Sequence, residues 1–388
     1  MRGHAKRRCP APKPGQPKCP GRTCGHPYAF WLDQPRGADG KRRQITRSGF
    51  TTKKEAERAL TKALTDVEDG TFTRPDATTV AMHLKAWLAG LDRKPATMEA
   101  YRRVVDAHLI PALGRLRLQR LTPPQIKRAY RALQDDKGLS PTTVQLVHQV
   151  LSKALSDAVS DGLLKANPAT KVKAPARNTP EMHTWSREQA SLFLRHVDDE
   201  RLRAMWRLFL TAGMRRGEVA ALRWQDVDLE RGSLSVRQTG NIVGGVWTVG
   251  TPKGRKDVAA KSRRLSLDAG TVEALRRHRT QQLQERRTWG GDWQDHGLVF
   301  VREDGSPLNP STIGQQLTVR ARQAGLPHVR VHDLRHTYAT LALEAGVHPK
   351  VVSERLGHAN ISITLSLYSH VSEGMDRDAA DRVAGLFT

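Results

Sequence analysis

Three short motifs between residues 332 and 370 constrain this 388-residue chain more than anything else in it. His332-Asp333-Leu334-Arg335-His336, Leu356-Gly357-His358 and Tyr368-Ser369-His370 gather imidazoles, a guanidinium and a phenol in one short segment. On a helix, the i, i+3 spacing of His332 and Arg335 sets both side chains on one face, pointing to a common space where they can grip an anion. A phosphodiester undergoing displacement spreads negative charge over its non-bridging oxygens, so the chemistry asks for fixed donors. Arginine suits that role because its planar fork meets phosphate bidentately and stays charged. Tyr368 is the candidate nucleophile. A phenol with a reference pKa of about 10 must shed its proton during attack, and nearby arginines and histidines lower that cost.

A dianionic transition state calls for a second guanidinium on a constrained backbone, and Thr211-Ala212-Gly213-Met214-Arg215-Arg216-Gly217-Glu218 supplies one. Its glycines permit a tight entry turn, Arg215 is expected at a helix start, and Glu218 three residues on can orient it. Arg216 reads as a solvated charge. Taken singly, each residue has a plainer meaning. His336, His348 and His370 read as structural groups or neighbours of a site, His358 as a helix-end residue, and Tyr368 as a half-buried aromatic. The ordered arrangement changes the reading of the last two, because His358 stands ten residues before Tyr368.

Gly-Met-Arg-Arg-Gly-Glu at 213–218, His-x-x-Arg at 332–335, Leu-Gly-His at 356–358 and Tyr-Ser-His-Val at 368–371, in this order, resemble the tyrosine recombinase (phage integrase) family. The pattern covers roughly the last half of the chain. The resemblance implies that Arg215 and Arg335 clamp the phosphate, His332 handles a proton or contacts phosphate, His358 donates a further hydrogen bond, and Tyr368 attacks. Glu218 matches an acidic position that supports the first arginine, and His336 is a supporting neighbour. In the family the phenolic oxygen displaces a 5′-hydroxyl and leaves a 3′-phosphotyrosine link, which the incoming strand's 5′-hydroxyl then attacks. The bond energy stays in the adduct, so no ATP, metal or other cofactor is implied. A hairpin lysine serves the family as general acid, and here the turn after Val246-Trp247-Thr248-Val249 looks several residues longer than usual. Lys253 fits the Pro-Lys half of the pattern and is preferred; Lys261 fits if the insertion lies upstream.

Composition agrees. Lys and Arg number 64 against 39 Asp and Glu, a formal charge of +25, which is the electrostatic footprint of a nucleic-acid binder. Aromatics make up 5%, too sparse for a stacking platform, so duplex DNA is the expected partner. A metal-dependent nuclease would want clustered carboxylates and histidines at ligand spacing, where the motif region offers arginines. A DNA-binding regulator would have no use for Tyr368 beside both arginine sites. No apolar run approaches a membrane span and no signal peptide follows the basic N-terminus, so a cytoplasmic, nucleoid-associated protein is expected.

The pattern breaks predict a multidomain α+β chain. In residues 1–74, Tyr28–Leu32 reads as a strand, Ala38-Asp39-Gly40 as a turn and Lys41–Thr46 as a returning basic strand, with Lys41, Arg42, Arg43 and Arg47 as candidate DNA contacts. A helix follows, opened by the capping pair Thr52 and Glu55. This small sheet backed by a helix resembles the arm-type DNA-binding domain of many integrases. Residues 77–168 read as helical: Val80, Leu84, Trp87, Leu88 and Leu91 form one stripe, Ile126, Ala129, Tyr130 and Leu133 another behind Pro123-Pro124. A third helix is capped at Ser140-Pro141, faces inward through Val144, Val147, Leu151, Leu155 and Ala158, and stops at Gly162. By resemblance this is an all-α core-binding domain, followed by a basic linker at 169–182 and a mainly α catalytic domain with a short antiparallel sheet at 183–388.

The resemblance further implies integration, with excision, of a prophage or integrative element at DNA attachment sites by a tetramer on two duplexes, with a small directionality factor and a host DNA-bending protein as further partners. A chromosome-dimer or plasmid-resolving recombinase is the competing reading, and the arm-like domain favours the integrase. Cys9, Cys19, Cys24, His4 and His26 crowd the N-terminus and are plausible zinc ligands, but the usual Cys-x-x-Cys pair is missing. The expectation is therefore a flexible, Pro-rich, basic lead-in.

Overall fold

The computed structural model describes residues 3–9, 19, 24–34, 43–68, 77–176, 183–252, 263–358, 360–362, 365, 384 and 387. The chain divides into two units, 1–93 with 97–178 and 94–96 with 179–388.

The first unit opens with an antiparallel sheet of order β1-β2-β3, formed by β1 (Gly3–Arg7), β2 (Tyr28–Gln34) and β3 (Arg43–Phe50). Phe30 and Leu32 of β2 pack against Leu60 and Ala63 of the helix α1 (Lys53–Glu68), forming a small core. The expected cap is present: Glu55 N donates to Thr52 Oγ1 at 3.2 Å, and the Glu55 carboxylate accepts from Thr51 N at 3.0 Å and Thr52 N. The returning strand is described from Arg43 and runs on to Phe50, four residues beyond the Thr46 end that the basic cluster suggested. The lead-in is not uniformly irregular. Gly3–Arg7 is a strand, laddered from Gly3 opposite Leu32 to Arg7 opposite Tyr28. Its only apolar side chain is Ala5, so it carries no alternation to read, and backbone pairing places it.

The helical part of this unit holds α2 (Val80–Ala89), α3 (Pro95–Val104), α4 (Ile110–Leu113), α5 (Pro123–Asp135) and α6 (Pro141–Ser160). The predicted stripes of α2, α5 and α6 form its core, and Ser140 Oγ accepts from Thr143 N at 3.3 Å at the start of α6. Between α2 and α5, where no pattern was read, α3 runs through one π turn (Val105–Leu109) into α4, burying Val104, Val105, Leu109 and Leu113. The segment expected as linker opens with a tight 3-10 turn, Pro168–Lys171, and Ala169 and Val172 are buried in the same helical core.

The second unit is built around α8 (Arg203–Thr211), buried through Ala204, Met205, Trp206, Leu208, Phe209 and Leu210. Its apolar faces lie in the core, while Arg203 and Arg207 reach out to Asp198 and Asp268. Around it lie α7 (Arg187–His196), α9 (Arg216–Ala220), α10 (Ala269–Trp289), α11 (Pro310–Gln323), α12 (Val331–Glu344) and α13 (Pro349–Leu356). The strands are short: β4 (Val227–Asp228), β5 (Ser233–Val236) and β8 (Arg263–Ser266) form one antiparallel sheet of order β4-β5-β8, while β6 (Thr239–Val243) and β7 (Val246–Gly250) form a hairpin. Among the described residues, no helix is long and apolar enough to cross a membrane.

Candidate active site

Arg215 stands at the start of α9, as its glycine-flanked position suggested, and Glu218 one turn on holds it. The carboxylate accepts from Arg215 N at 2.9 Å and from Arg215 Nη1 at 2.9 Å. The glutamate is 2% exposed. Burial alone would raise its pKa, but the Arg263 charge and the bonds from Arg215 overcome this and hold it below the ordinary carboxylate value.

Arg263 is the residue sequence reasoning missed. It begins β8, where Arg263 and Leu265 are buried and Arg264 and Ser266 are exposed, so the first arginine of Ser-Arg-Arg occupies the inward register. Its Nη2 donates to Glu218 Oε2 at 2.7 Å and its Nη1 to the Leu356 carbonyl at 2.6 Å. A basic residue in phase with a buried leucine is the signal that the sequence offers for it.

Arg335, on α12, is 2% exposed, far deeper than a surface phosphate contact would be. Its Nη1 donates to the Gly213 carbonyl at 2.7 Å and its Nη2 to the Leu356 carbonyl. Burial first, then the Arg215 charge, pushes its pKa down to about 9, which leaves it charged at neutral pH. The third carbonyl of this set is Gly357 O, which accepts from Arg215 Nη2 at 3.1 Å. Three guanidinium groups thus share one buried carboxylate and three backbone carbonyls, leaving the cluster with an excess of positive charge among the described residues. Such a cluster suits a phosphodiester that gains negative charge during reaction.

Two of those carbonyls belong to glycines in left-handed conformations, Gly213 at φ +59° and Gly357 at φ +66°. A Cβ at Gly213 would lie 2.6 Å from both Leu356 Cδ2 and Tyr338 Cδ1. The Gly213→Ala variant is therefore expected to lose about 1–3 kcal/mol of stability through backbone strain alone, read as a lowered urea midpoint, and to displace the carbonyl that anchors Arg335.

His332 and His336 lie one turn apart on α12, with ring centroids 4.8 Å apart and planes at 88°. Asp333 fixes the start of that helix by accepting from Arg330 N at 2.8 Å. His358 follows Gly357 directly. Burial is the largest influence on His332 and His358 and pushes each pKa down to about 4; the next are His336 for His332 and Arg335 for His358. His336 is also lowered, again by burial first. All three imidazoles are therefore neutral at pH 7, able to donate from one ring nitrogen and accept at the other. Because the unfolded chain takes up protons below about 6.5 while His332 and His358 resist to about 4, stability should fall as pH drops across that window. Urea midpoints measured from neutral to acid pH would show the decline, and it should be shallower in His332→Asn.

Lys253, Lys261, Tyr368 and His370 lie outside the described residues, as do Lys41 and Arg42. Arg43 begins β3 and Arg47 is exposed further along it. His348 caps α13, accepting from Lys350 N at 3.2 Å, in keeping with a structural role. Of the N-terminal group, His4 stacks on Trp31 at 5.2 Å, apart from the cysteines.

Three family models match consecutive parts of the chain: the arm DNA-binding domain at 25–67, the N-terminal SAM-like domain of phage integrases at 79–134, and the phage integrase family at 185–375. The chain belongs to the phage integrase family. It carries a tyrosine-type site-specific recombinase catalytic domain behind DNA-binding modules. Among relatives of this integrase family, a protein named tyrosine recombinase XerC-like from Caldanaerobacter subterraneus subsp. tengcongensis is 29% identical, covering 87% of this chain and 90% of its own. The ICEBs1 integrase of Bacillus subtilis is 24% identical, over 88% of this chain and 92% of its own. The fold is shared with a Tn1549 transposon integrase solved with a circular intermediate DNA, at a TM-score of 0.66 and 20% identity, over 79% of this chain and 100% of that one.

Proposed function

We propose that this recombinase is the integrase of a prophage or integrative element, cutting and rejoining duplex DNA at attachment sites through a 3′-phosphotyrosine on Tyr368. The observation that carries the reading is the arginine cluster: Arg215, Arg263 and Arg335 anchored on Glu218 and on the carbonyls leading into His358. In this mechanism Arg215 and Arg335 bind the non-bridging oxygens of the scissile phosphate. The Tyr368 oxygen forms its bond to phosphorus as the bond to the 5′-oxygen breaks. Neutral His332 accepts the phenolic proton, His358 donates to a phosphate oxygen, and Lys253 delivers a proton to the departing 5′-hydroxyl. His336 supports His332. The second step reverses these moves with the 5′-hydroxyl of the other duplex, so no external energy source is consumed.

Each chain offers one nucleophile and exchange between two duplexes requires four strand cuts, so the working assembly is a tetramer on DNA. Residues 1–74 serve arm-type sites, with Lys41, Arg42, Arg43 and Arg47 on the phosphates, 77–168 bind the core site, 169–182 link, and 183–388 catalyse. Excision recruits a small directionality factor, and a host protein bends the DNA. The similarity to a XerC-like recombinase supports a chromosome-dimer or plasmid-resolving role as a second reading; the matched arm domain and the ICEBs1 relative favour the integrase.

The test is to mix the full chain with a nicked duplex drawn from the intergenic sequence beside its gene, in buffer without added divalent cation. A denaturation-resistant adduct on the 3′ side, releasing a strand with a free 5′-hydroxyl, is expected. Linkage through a 5′-phosphate, or cleavage only when a divalent metal is added, would sink the proposal.

A further inference from the structure

Cys9, Cys19, Cys24 and His26 each bring one donor atom into a group whose members all lie within 4.8 Å of one another. Cys9 Sγ is 3.4 Å from Cys24 Sγ, and Cys19 Sγ is 3.5 Å from His26 Nδ1. A disulfide would need about 2.05 Å, so the two closest sulfurs are gathered without being joined. A tetrahedral zinc ion with arms of about 2.3 Å to sulfur and 2.0 Å to nitrogen has edges of roughly 3.5–3.8 Å, the spacing these two pairs approach.

We propose that Cys9, Cys19, Cys24 and His26 form a structural zinc site that closes the open end of the β1–β2 ladder. The donor set is soft, with three sulfurs and an imidazole and no carboxylate, which favours zinc over magnesium or calcium. Four protein ligands fill the tetrahedron and leave no position for water or substrate, so the site is structural. As the sulfur–zinc bonds form, the three thiols release their protons to solvent, and His26 binds as the neutral imidazole.

The position in the fold supplies the reason for such a site. Past the last ladder pair, Arg7 opposite Tyr28, Arg8 N donates to the Pro27 carbonyl at 2.9 Å. Cys9 then leaves β1, while Cys24 and His26 lead into β2. β1 itself brings only Ala5 to a core of Phe30, Leu32, Leu60 and Ala63, too little apolar surface to hold an edge strand firmly. A metal at the open end would hold β1 where hydrophobic packing is weak. The matched arm domain begins at residue 25, so Cys9, Cys19 and Cys24 lie ahead of it and the site is an addition to that module. The Cys-x-x-Cys pair is missing from the sequence because strand pairing, rather than such a turn, brings Cys9 to Cys24.

The full chain, purified with reductant and dialysed against metal-free buffer, should retain about one zinc per molecule. Cobalt substituted for zinc should give the near-ultraviolet thiolate-to-cobalt absorption of a three-sulfur site. In the Cys19→Ser, Cys24→Ser double variant, zinc content should fall roughly tenfold and that absorption should disappear. Zinc content unchanged by the double substitution would place the metal elsewhere, for instance on the catalytic histidines, and overturn the proposal. Absence of the thiolate–cobalt absorption from the wild-type chain would also overturn it, whether or not the variant folds.

Discussion

Tyr368→Phe should yield no denaturation-resistant adduct on a nicked attachment-site duplex, a loss of at least roughly a thousandfold against wild type. Phenylalanine keeps the ring and removes only the oxygen, so the bond to phosphorus cannot form and no neighbouring group inherits it. Binding should be unaffected, because the chain's +25 charge is unchanged by the substitution. Labelled duplex run on native and denaturing gels reads both quantities from one reaction. An adduct above a tenth of the wild-type level would assign the nucleophile to another residue, with Ser369 and His370 the first to be tried.

Glu218→Gln should lower stability by about 3–5 kcal/mol, the usual cost of removing one partner from a buried ion cluster. The amide fills nearly the same volume but carries no charge, while Arg263 and Arg335 stay buried at 8% and 2% exposure. Adduct formation should fall by about a hundredfold as well, because Arg215 loses the group that aims it. The pH dependence separates charge from shape. Glu218 sits below its ordinary carboxylate value of 4.5, so its contribution is complete above that value and lost as pH falls through the lower folded value. The acid limb of wild-type stability should therefore be steeper than that of Glu218→Gln. Unfolding in urea at several pH values measures both, and a variant within 0.5 kcal/mol of wild type would show that the arginines do not depend on this carboxylate.

Much of this architecture was legible where one physical rule acts alone. Ser140 ahead of Pro141, Thr52 with Glu55, and the stripes on α2, α5 and α6 are local signals, and the structure places caps and buried faces on them. Arg215, Glu218, His332, Arg335 and His358 were picked out by motif order, and the fold brings them to one end of α13 and the start of α9. What escaped depends on partners far along the chain. β1 is a strand because β2 pairs with it, and nothing within Gly-His-Ala-Lys-Arg announces that. Arg263 is buried because Glu218, 45 residues earlier, waits for it. The run from Pro95 to Leu113 mixes arginines, two prolines and a π turn, so no single helical period runs through it.

The last carbonyls of α13 tie the arginines to the path of the chain. Leu356 O takes bonds from Arg263 and Arg335, Gly357 O takes one from Arg215, and the backbone continues through His358 toward Tyr368. A shift of the chain at Leu356 and Gly357 would therefore be felt by all three guanidinium groups at once. The end of one short helix thus acts as a common anchor, and slack there would loosen the three arginines together.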